Sequence, residues 1–252
     1  MTNKIALITG ATSGIGEATA RLLSKNQFDL IICGRREDRL ARLQSELASV
    51  TKVYKLTFDV RDLAAVKMAL QTLPNEWKKI NVLINNAGNA HGLDPIQKGS
   101  VADWDAMIDI NVKGLLYVSR EVMPGMIERQ QGHIVNIGSI AGKEVYPNGN
   151  VYCASKHAVD AITNSMRLDL NPYGIKVTGI HPGMVETEFS VVRFKGDGER
   201  ASNVYKGLEP LKGDDVADLI LFAITRPAHV VVADMIVFPK AQASATVVKR
   251  EL

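Results

Sequence analysis

Cysteine is scarce: Cys33 and Cys153 are the only two among 252 residues, so a disulfide framework is excluded. Cys33 lies in an apolar run and reads as a small core residue. Cys153 adjoins Tyr152, with no histidine or second cysteine at metal-ligand spacing, so no metal site is expected. Such usage fits a reducing cytoplasm. No apolar run approaches the length of a membrane span, and Met1 leads directly into Ile5-Ala6-Leu7-Ile8, so no signal or transit peptide is expected. Neither charge sign dominates: 30 basic and 27 acidic residues leave +3, with no basic stripe. Nucleic acid and membrane surfaces are therefore not expected partners. The terminal Lys249-Arg250-Glu251-Leu252 resembles an endoplasmic-reticulum retrieval tag, but without an entry signal it reads as coincidence. What remains is the composition of an ordinary globular protein, 46% apolar and 23% charged, long enough to bury a substantial core.

Short apolar runs alternate with helix-length segments along nearly the whole chain. The expected strands are Ile5–Ile8, Leu30–Cys33, Val53–Phe58, Val82–Ile84, Ile134–Ile137, Val177–Ile180 and Val231–Phe238. Leu40, Leu43, Leu47 and Val50 form one stripe at helical spacing, and Leu63, Val66, Leu70 and Leu73 form another; both read as core packing. The pattern predicts an α/β protein. Its single Rossmann-fold domain over residues 1–252 would hold a doubly wound parallel sheet of about seven strands, with helices on both faces. Regular alternation fails between Pro182 and Gly213, where glycines and polar residues interleave. An irregular insertion of that length is usually functional, and residues 184–213 are expected to form a substrate lid.

Gly10-Ala11-Thr12-Ser13-Gly14-Ile15-Gly16 follows the first strand and opens a helix. Glycines there let the backbone turn tightly toward a pyrophosphate, and the helix N-terminus offers free N–H groups. This position after the first strand points to a dinucleotide. The second strand ends in Cys33-Gly34-Arg35-Arg36, where an NAD site would usually carry an acid for the ribose hydroxyls. Two guanidiniums instead suit a 2′-phosphate, so NADP is the expected cofactor, with Ser13 adding a hydroxyl to the same phosphate. The bland reading is that the arginines are a solvated helix start. Asp59 and Val60 end the third strand; Asp59 either caps the helix beginning near Asp62 or accepts from the adenine amine. Asn85-Asn86-Ala87-Gly88 closes the fourth strand beside the expected crevice, so Asn86, Ala87 and Gly88 join the cofactor set.

Tyr152 and Lys156 are four residues apart, on one face of a helix. A neighbouring ammonium stabilises phenolate, and a phenol so shifted can exchange a proton with an alcohol or carbonyl oxygen. Alone, that pair is often only a surface tyrosine near a solvated lysine.

In chain order, Thr9-Gly10-x-x-x-Gly14-Ile15-Gly16, Asn85-Asn86-Ala87-Gly88, Asn111, Ser139, Tyr152-x-x-x-Lys156 and Pro182-Gly183 resemble the short-chain dehydrogenase/reductase family over almost the whole chain. The resemblance implies a catalytic tetrad. Tyr152 would be the general acid or base, Ser139 would orient the substrate oxygen, and Lys156 would depress the tyrosine pKa and bind the nicotinamide ribose. Asn111 would kink its helix and hold a water linking Lys156 to solvent. Pro182, Gly183, Val185 and Thr187 would line the nicotinamide, and the assembly would be a homotetramer with the tyrosine-bearing helix and C-terminal strand at interfaces.

A narrower similarity lies in Glu186-Thr187-Glu188-Phe189-Ser190-x-x-Arg193-Phe194-Lys195-Gly196-Asp197, which looks like the same segment of NADP-dependent 3-hydroxy acid dehydrogenases. It implies a hydride exchange between NADP and a small hydroxy acid or matching carbonyl, of the serine, allo-threonine or 3-hydroxypropionate type. A sister group similar in this segment reduces sulfoacetaldehyde, and a broad carbonyl reductase would carry the same catalytic motifs. A catalytically silent NADP-binding sensor would need only the glycine loop and the arginines. Arg193, and less so Lys195, could clamp a small anion from the lid. One departure is Glu144-Val145, where the hydroxy-acid members carry Trp-Pro. A carboxylate facing the pocket would repel an anionic substrate by about 1–4 kcal/mol. His91 is a further possible pocket residue.

Overall fold

The computed structural model describes residues 3–251. Seven parallel strands run β1 (Lys4–Thr9), β2 (Phe28–Gly34), β3 (Val53–Thr57), β4 (Ile80–Asn85), β5 (Gly132–Ile137), β6 (Ile175–Pro182) and β7 (Asp234–Val237), in the spatial order 3-2-1-4-5-6-7. The order reverses between β1 and β4, and such a switch point opens a crevice at the strands' carboxyl ends. The loops flanking that switch, after β1 and after β4, carry the glycine-rich turn and the Asn85–Gly88 sequence.

Alternation along each strand separates two cores. Leu7, Ile31, Leu83, Ile134 and Val177 face α3 (Leu63–Gln71), α5 (Leu115–Glu128) and α6 (Asn150–Leu170), and α4 (Val101–Ile108) packs on α6. Ile8, Leu30, Ile32, Ile84, Val135 and Ile180 face α1 (Gly14–Ser24), α2 (Glu37–Leu47) and α9 (Gly213–Ile224). Each is a period-two strand pattern buried on both sides, as a parallel sheet requires. The predicted helical stripes pack as expected except at their ends: Leu63 is the first residue of α3 and Val50 lies beyond α2, and both are exposed. The last expected strand is shorter than predicted, because only Asp234–Val237 pairs with β6.

The 184–213 segment is not irregular. It folds into α7 (Phe189–Arg193) and α8 (Gly198–Asn203), and Val185 bridges Leu211 at its base. Short local turns concealed these helices behind interleaved glycines. The tail after β7 returns to this segment, where Arg250 donates to the Val204 carbonyl at 3.0 Å and Glu251 N–H to the Gly207 carbonyl at 2.8 Å. Leu252, the last residue of the tag-like sequence, lies outside the described residues, as does Met1. Among the described residues no helix is long and apolar enough to cross a membrane.

Candidate active site

A cleft of about 580 Å³ opens at the switch point. Its floor is backbone. Gly14 takes φ +53, and a Cβ there would lie 3.0 Å from Thr187; a Cβ on Gly16 would strike the Gly10 carbonyl. Ser13 caps α1 without a side-chain bond to it, leaving the first N–H groups aimed at the cleft. This bare, positively polarised cradle fits a dinucleotide diphosphate. Asn86 both lines the cleft and braces it. Its amide donates to the carbonyls of Thr9 (2.9 Å) and Gly10 (3.2 Å), so the side chain braces the glycine loop while the backbone of residues 86–88 lines the cleft.

At the adenosine end the two arginines diverge. Arg35 is exposed and pairs loosely with Asp59, at 3.7 Å. Arg36 turns inward, donating to Thr12 Oγ1 at 2.8 Å and Ser13 Oγ at 2.9 Å. Arg39, which sequence reading missed, stands beside it one turn into α2, and both guanidiniums grip Glu188 from the 184–213 segment, at 2.8 and 2.6 Å. An acid does stand at this end of the cleft, then, but it arrives from about 150 residues away rather than from the β2 loop. Asp59 is not the helix cap. Asp62 accepts from Ala64 N–H and Ala65 N–H at the start of α3, whereas Asp59 takes the Arg61 backbone and guanidinium. Val60 is buried in the wall.

At the other end Tyr152 and Lys156 emerge from α6, both nearly sequestered from solvent. A buried polar chain fixes this wall: the Asn85 amide donates to Ser119 Oγ and Asn136 Oδ1, and the Asn136 amide to Thr163 Oγ1, tying α5 and α6 to β4 and β5. Asn111 sits in a π-helical stretch, Asp109–Gly114, a widened turn that interrupts the regular helix. Its side chain accepts from Asn89 N–H at 2.9 Å and donates to the Asn89 carbonyl and to Ser155 Oγ. Asn111 Oδ1 and Lys156 Nζ converge on Gly88, where a Cβ would lie 2.9 and 3.5 Å from them. Ser139 begins a tight turn after β5, its Oγ accepting from Ala141 N–H at 3.1 Å.

The electrostatics differ from the simple pairing expected of Tyr152 and Lys156. Burial pushes the phenol of Tyr152 well above its ordinary value, and the opposing influences are the Arg193 cation and a hydrogen bond with Ser139. Lys156 Nζ instead donates to the Ile137 carbonyl at 2.9 Å, and burial holds its pKa down at about 8. Arg193 is thus a second cation beside the phenol, one that the Tyr152–Lys156 spacing does not reveal.

Arg193 closes α7 over the site. Its guanidinium stands 4.9 Å from the Tyr152 ring centroid and 5.1 Å from that of Phe189, and it donates to the Tyr146 hydroxyl at 2.8 Å. Among the described residues no carboxylate pairs with it, and its buried Nε has no acceptor. Lys195 points away, bound to Asp103 at 2.9 Å. His91 lies half-buried in a small side pocket with Asp103 and Trp104, not in the cleft. Glu144 is exposed and accepts from Ala245 N–H at 2.8 Å, so its carboxylate faces the tail and the feared repulsion is relieved. Pro182, Gly183, Val185 and Thr187 line the cleft. Gln242, unforeseen, reaches from the tail to accept from Met184 N–H at 2.8 Å and steadies that lining.

This fold and cleft define a dinucleotide-dependent oxidoreductase, and residues 4–197 match the short chain dehydrogenase family, to which the chain belongs. An NADP-dependent 3-hydroxy acid dehydrogenase (YdfG) of Salmonella typhi is 46% identical over 242 residues, spanning 96% of this chain and 97% of the relative. Sulfoacetaldehyde reductase 2 of Chromohalobacter salexigens is 45% identical, covering 98% and 99%. The solved closed form of a serine dehydrogenase complexed with NADP+ superposes with a TM-score of 0.92 at 43% identity, covering 98% of this chain and all of that one.

Proposed function

We propose that this protein is an NADP-dependent dehydrogenase/reductase that interconverts small 3-hydroxy acids, of the serine, allo-threonine or 3-hydroxypropionate type, with their carbonyl forms. The observation that carries the reading is Arg193: an unpaired, half-buried guanidinium beside the reactive phenol calls for an anionic group on the substrate. A carboxylate anchored there would place its β-carbon hydroxyl toward Ser139 and Tyr152. Residues 184–213, carrying that anchor, act as the lid.

When bound, the dinucleotide supplies or receives the hydride. In the reducing direction Tyr152 donates its proton to the substrate oxygen while Ser139 orients that oxygen; in oxidation the phenolate takes the hydroxyl proton. A phenol raised by burial stays protonated at neutral pH but is a weaker acid, so both proton donation and formation of the phenolate call for the nearby cations. Lys156, near pKa 8, is poised to return the proton, and Asn111 beside it orients the path to solvent. Lys156 would also hold the nicotinamide ribose, and Arg36, which already gathers the Thr12 and Ser13 hydroxyls, would hold the 2′-phosphate with them. A homotetramer is the expected assembly, supported by exposed Leu168 on α6, Phe222 on α9 and Ile236 on β7. Two free, buried cysteines fit a cytoplasmic setting.

The test compares kcat/KM for serine, 3-hydroxyisobutyrate, 3-hydroxypropionate and a neutral secondary alcohol, with sulfoacetaldehyde as the sulfonate arm. Arg193→Leu should raise KM for the acids by about ten- to a hundredfold and leave KM for the neutral alcohol unchanged, while kcat falls for both because the phenol loses a neighbouring cation. Wild-type preference for the neutral alcohol would refute the anionic substrate.

A further inference from the structure

Glu188 is the residue that neither the catalytic mechanism nor the cofactor reading uses. Its carboxylate bridges two guanidiniums, Oε2 to Arg36 at 2.8 Å and Oε1 to Arg39 at 2.6 Å. Arg36 simultaneously holds the hydroxyls of Thr12 and Ser13. Two cations and two hydroxyls at the rim of the glycine loop make an anion site, and a carboxylate of the same chain fills it. A guanidinium fork engages carboxylate and phosphate oxygens in the same geometry.

We infer that Glu188 occupies the position of the dinucleotide 2′-phosphate, so that this carboxylate competes with the phosphate for Arg36 and is a cofactor-specificity residue. The inference rests on Arg36 being the 2′-phosphate ligand. Charge decides the competition. The two arginines carry +2 and Glu188 offsets one of these charges. A phosphate monoester brings about −1.5 to −2, which the free pair neutralises but the Glu188-bound pair does not. Burial raises the Glu188 carboxyl, yet the hydrogen bonds from Arg36 and Arg39 outweigh it and hold the group below the ordinary carboxylate range, so it is anionic at neutral pH. The phosphate must therefore dislodge a like charge. A dinucleotide lacking the 2′-phosphate meets no such demand, because its ribose hydroxyl is compatible with a carboxylate acceptor left in place.

The test is calorimetric titration of the purified protein with NADPH, NADH, adenosine 2′-monophosphate and adenosine 5′-monophosphate, for wild type, Glu188→Gln and Arg36→Ala. Glu188→Gln should tighten NADPH and adenosine 2′-monophosphate by about three- to fivefold, as befits partly exposed ion pairs, and leave NADH and adenosine 5′-monophosphate unchanged. Unchanged or weaker NADPH binding in Glu188→Gln, with Arg36→Ala selectively weakening NADPH, would overturn the inference alone; Glu188 would then be a buttress for Arg36. Equal losses of NADPH and NADH in Arg36→Ala would remove the 2′-phosphate reading beneath it. Matching thermal melts and circular dichroism spectra of the variants keep a folding defect from imitating either result.

Discussion

At the adenosine end of the cleft, the side chains of Arg36, Arg39 and Glu188 are 39%, 33% and 43% exposed, whereas Tyr152 and Lys156 at the catalytic end are buried. Both ends depend on charge, but water treats them differently. Exposed ions are screened, so recognition at the arginines is weak per pair, exchangeable and sensitive to salt. Buried groups pay a desolvation penalty, so the phenol rises, the ammonium falls, and neither is an ordinary acid or base. One end is suited to selecting an anion, the other to moving a proton.

The sharpest way to break this contrast is Tyr152→Phe. It removes the proton donor alone, and kcat should fall by about 10²–10⁴ while NADPH binding holds in a fluorescence titration. Unchanged turnover would remove Tyr152 from the chemistry. Next comes pH, which should act through buried groups. His133, at the amino end of β5 and away from the cleft, meets Thr178 Oγ1 at 2.8 Å, and burial chiefly holds its pKa at about 4. The unfolded chain takes up this proton near 6.5, before the folded protein does. The contribution is therefore complete above pH 6.5 and is lost as pH falls through about 4, on the order of 3 kcal/mol in urea unfolding. His133→Gln should flatten that slope, and an unaltered slope would assign the acid loss elsewhere.

Smaller effects belong to the exposed end. Arg36→Ala should lower the NADPH-over-NADH binding preference by about tenfold, the scale of one charge-assisted hydrogen bond. Arg39→Ala should lower it only about two- to threefold at low ionic strength, with the difference fading near 0.5 M salt. A salt-independent Arg39 effect would mean that the two ends are not as dissimilar as their exposures imply.

How far the chain could be read without its structure follows the same division. The glycine loop, the strand periodicity and the Tyr152–Lys156 spacing are local patterns, and each appeared where expected. Asn86 and Asp59 both line the cleft, but their bracing partners, the Thr9 and Gly10 carbonyls and the Arg61 guanidinium, depend on how loops meet and are not legible in the sequence. The directions of Lys195 and Glu144 stay open in the sequence, which carries no sign of Asp103 or of the returning tail as their partners.

Sequence alone settled the doubly wound fold and the family, because backbone turns and alternating burial are imposed within a few residues of one another. Tertiary structure decided which charges meet: Arg193 over Tyr152, Glu188 between two arginines, Gln242 beneath Met184. Coulomb forces and desolvation depend on distance and on exclusion of water, and neither quantity is written in the separation of residues along a chain.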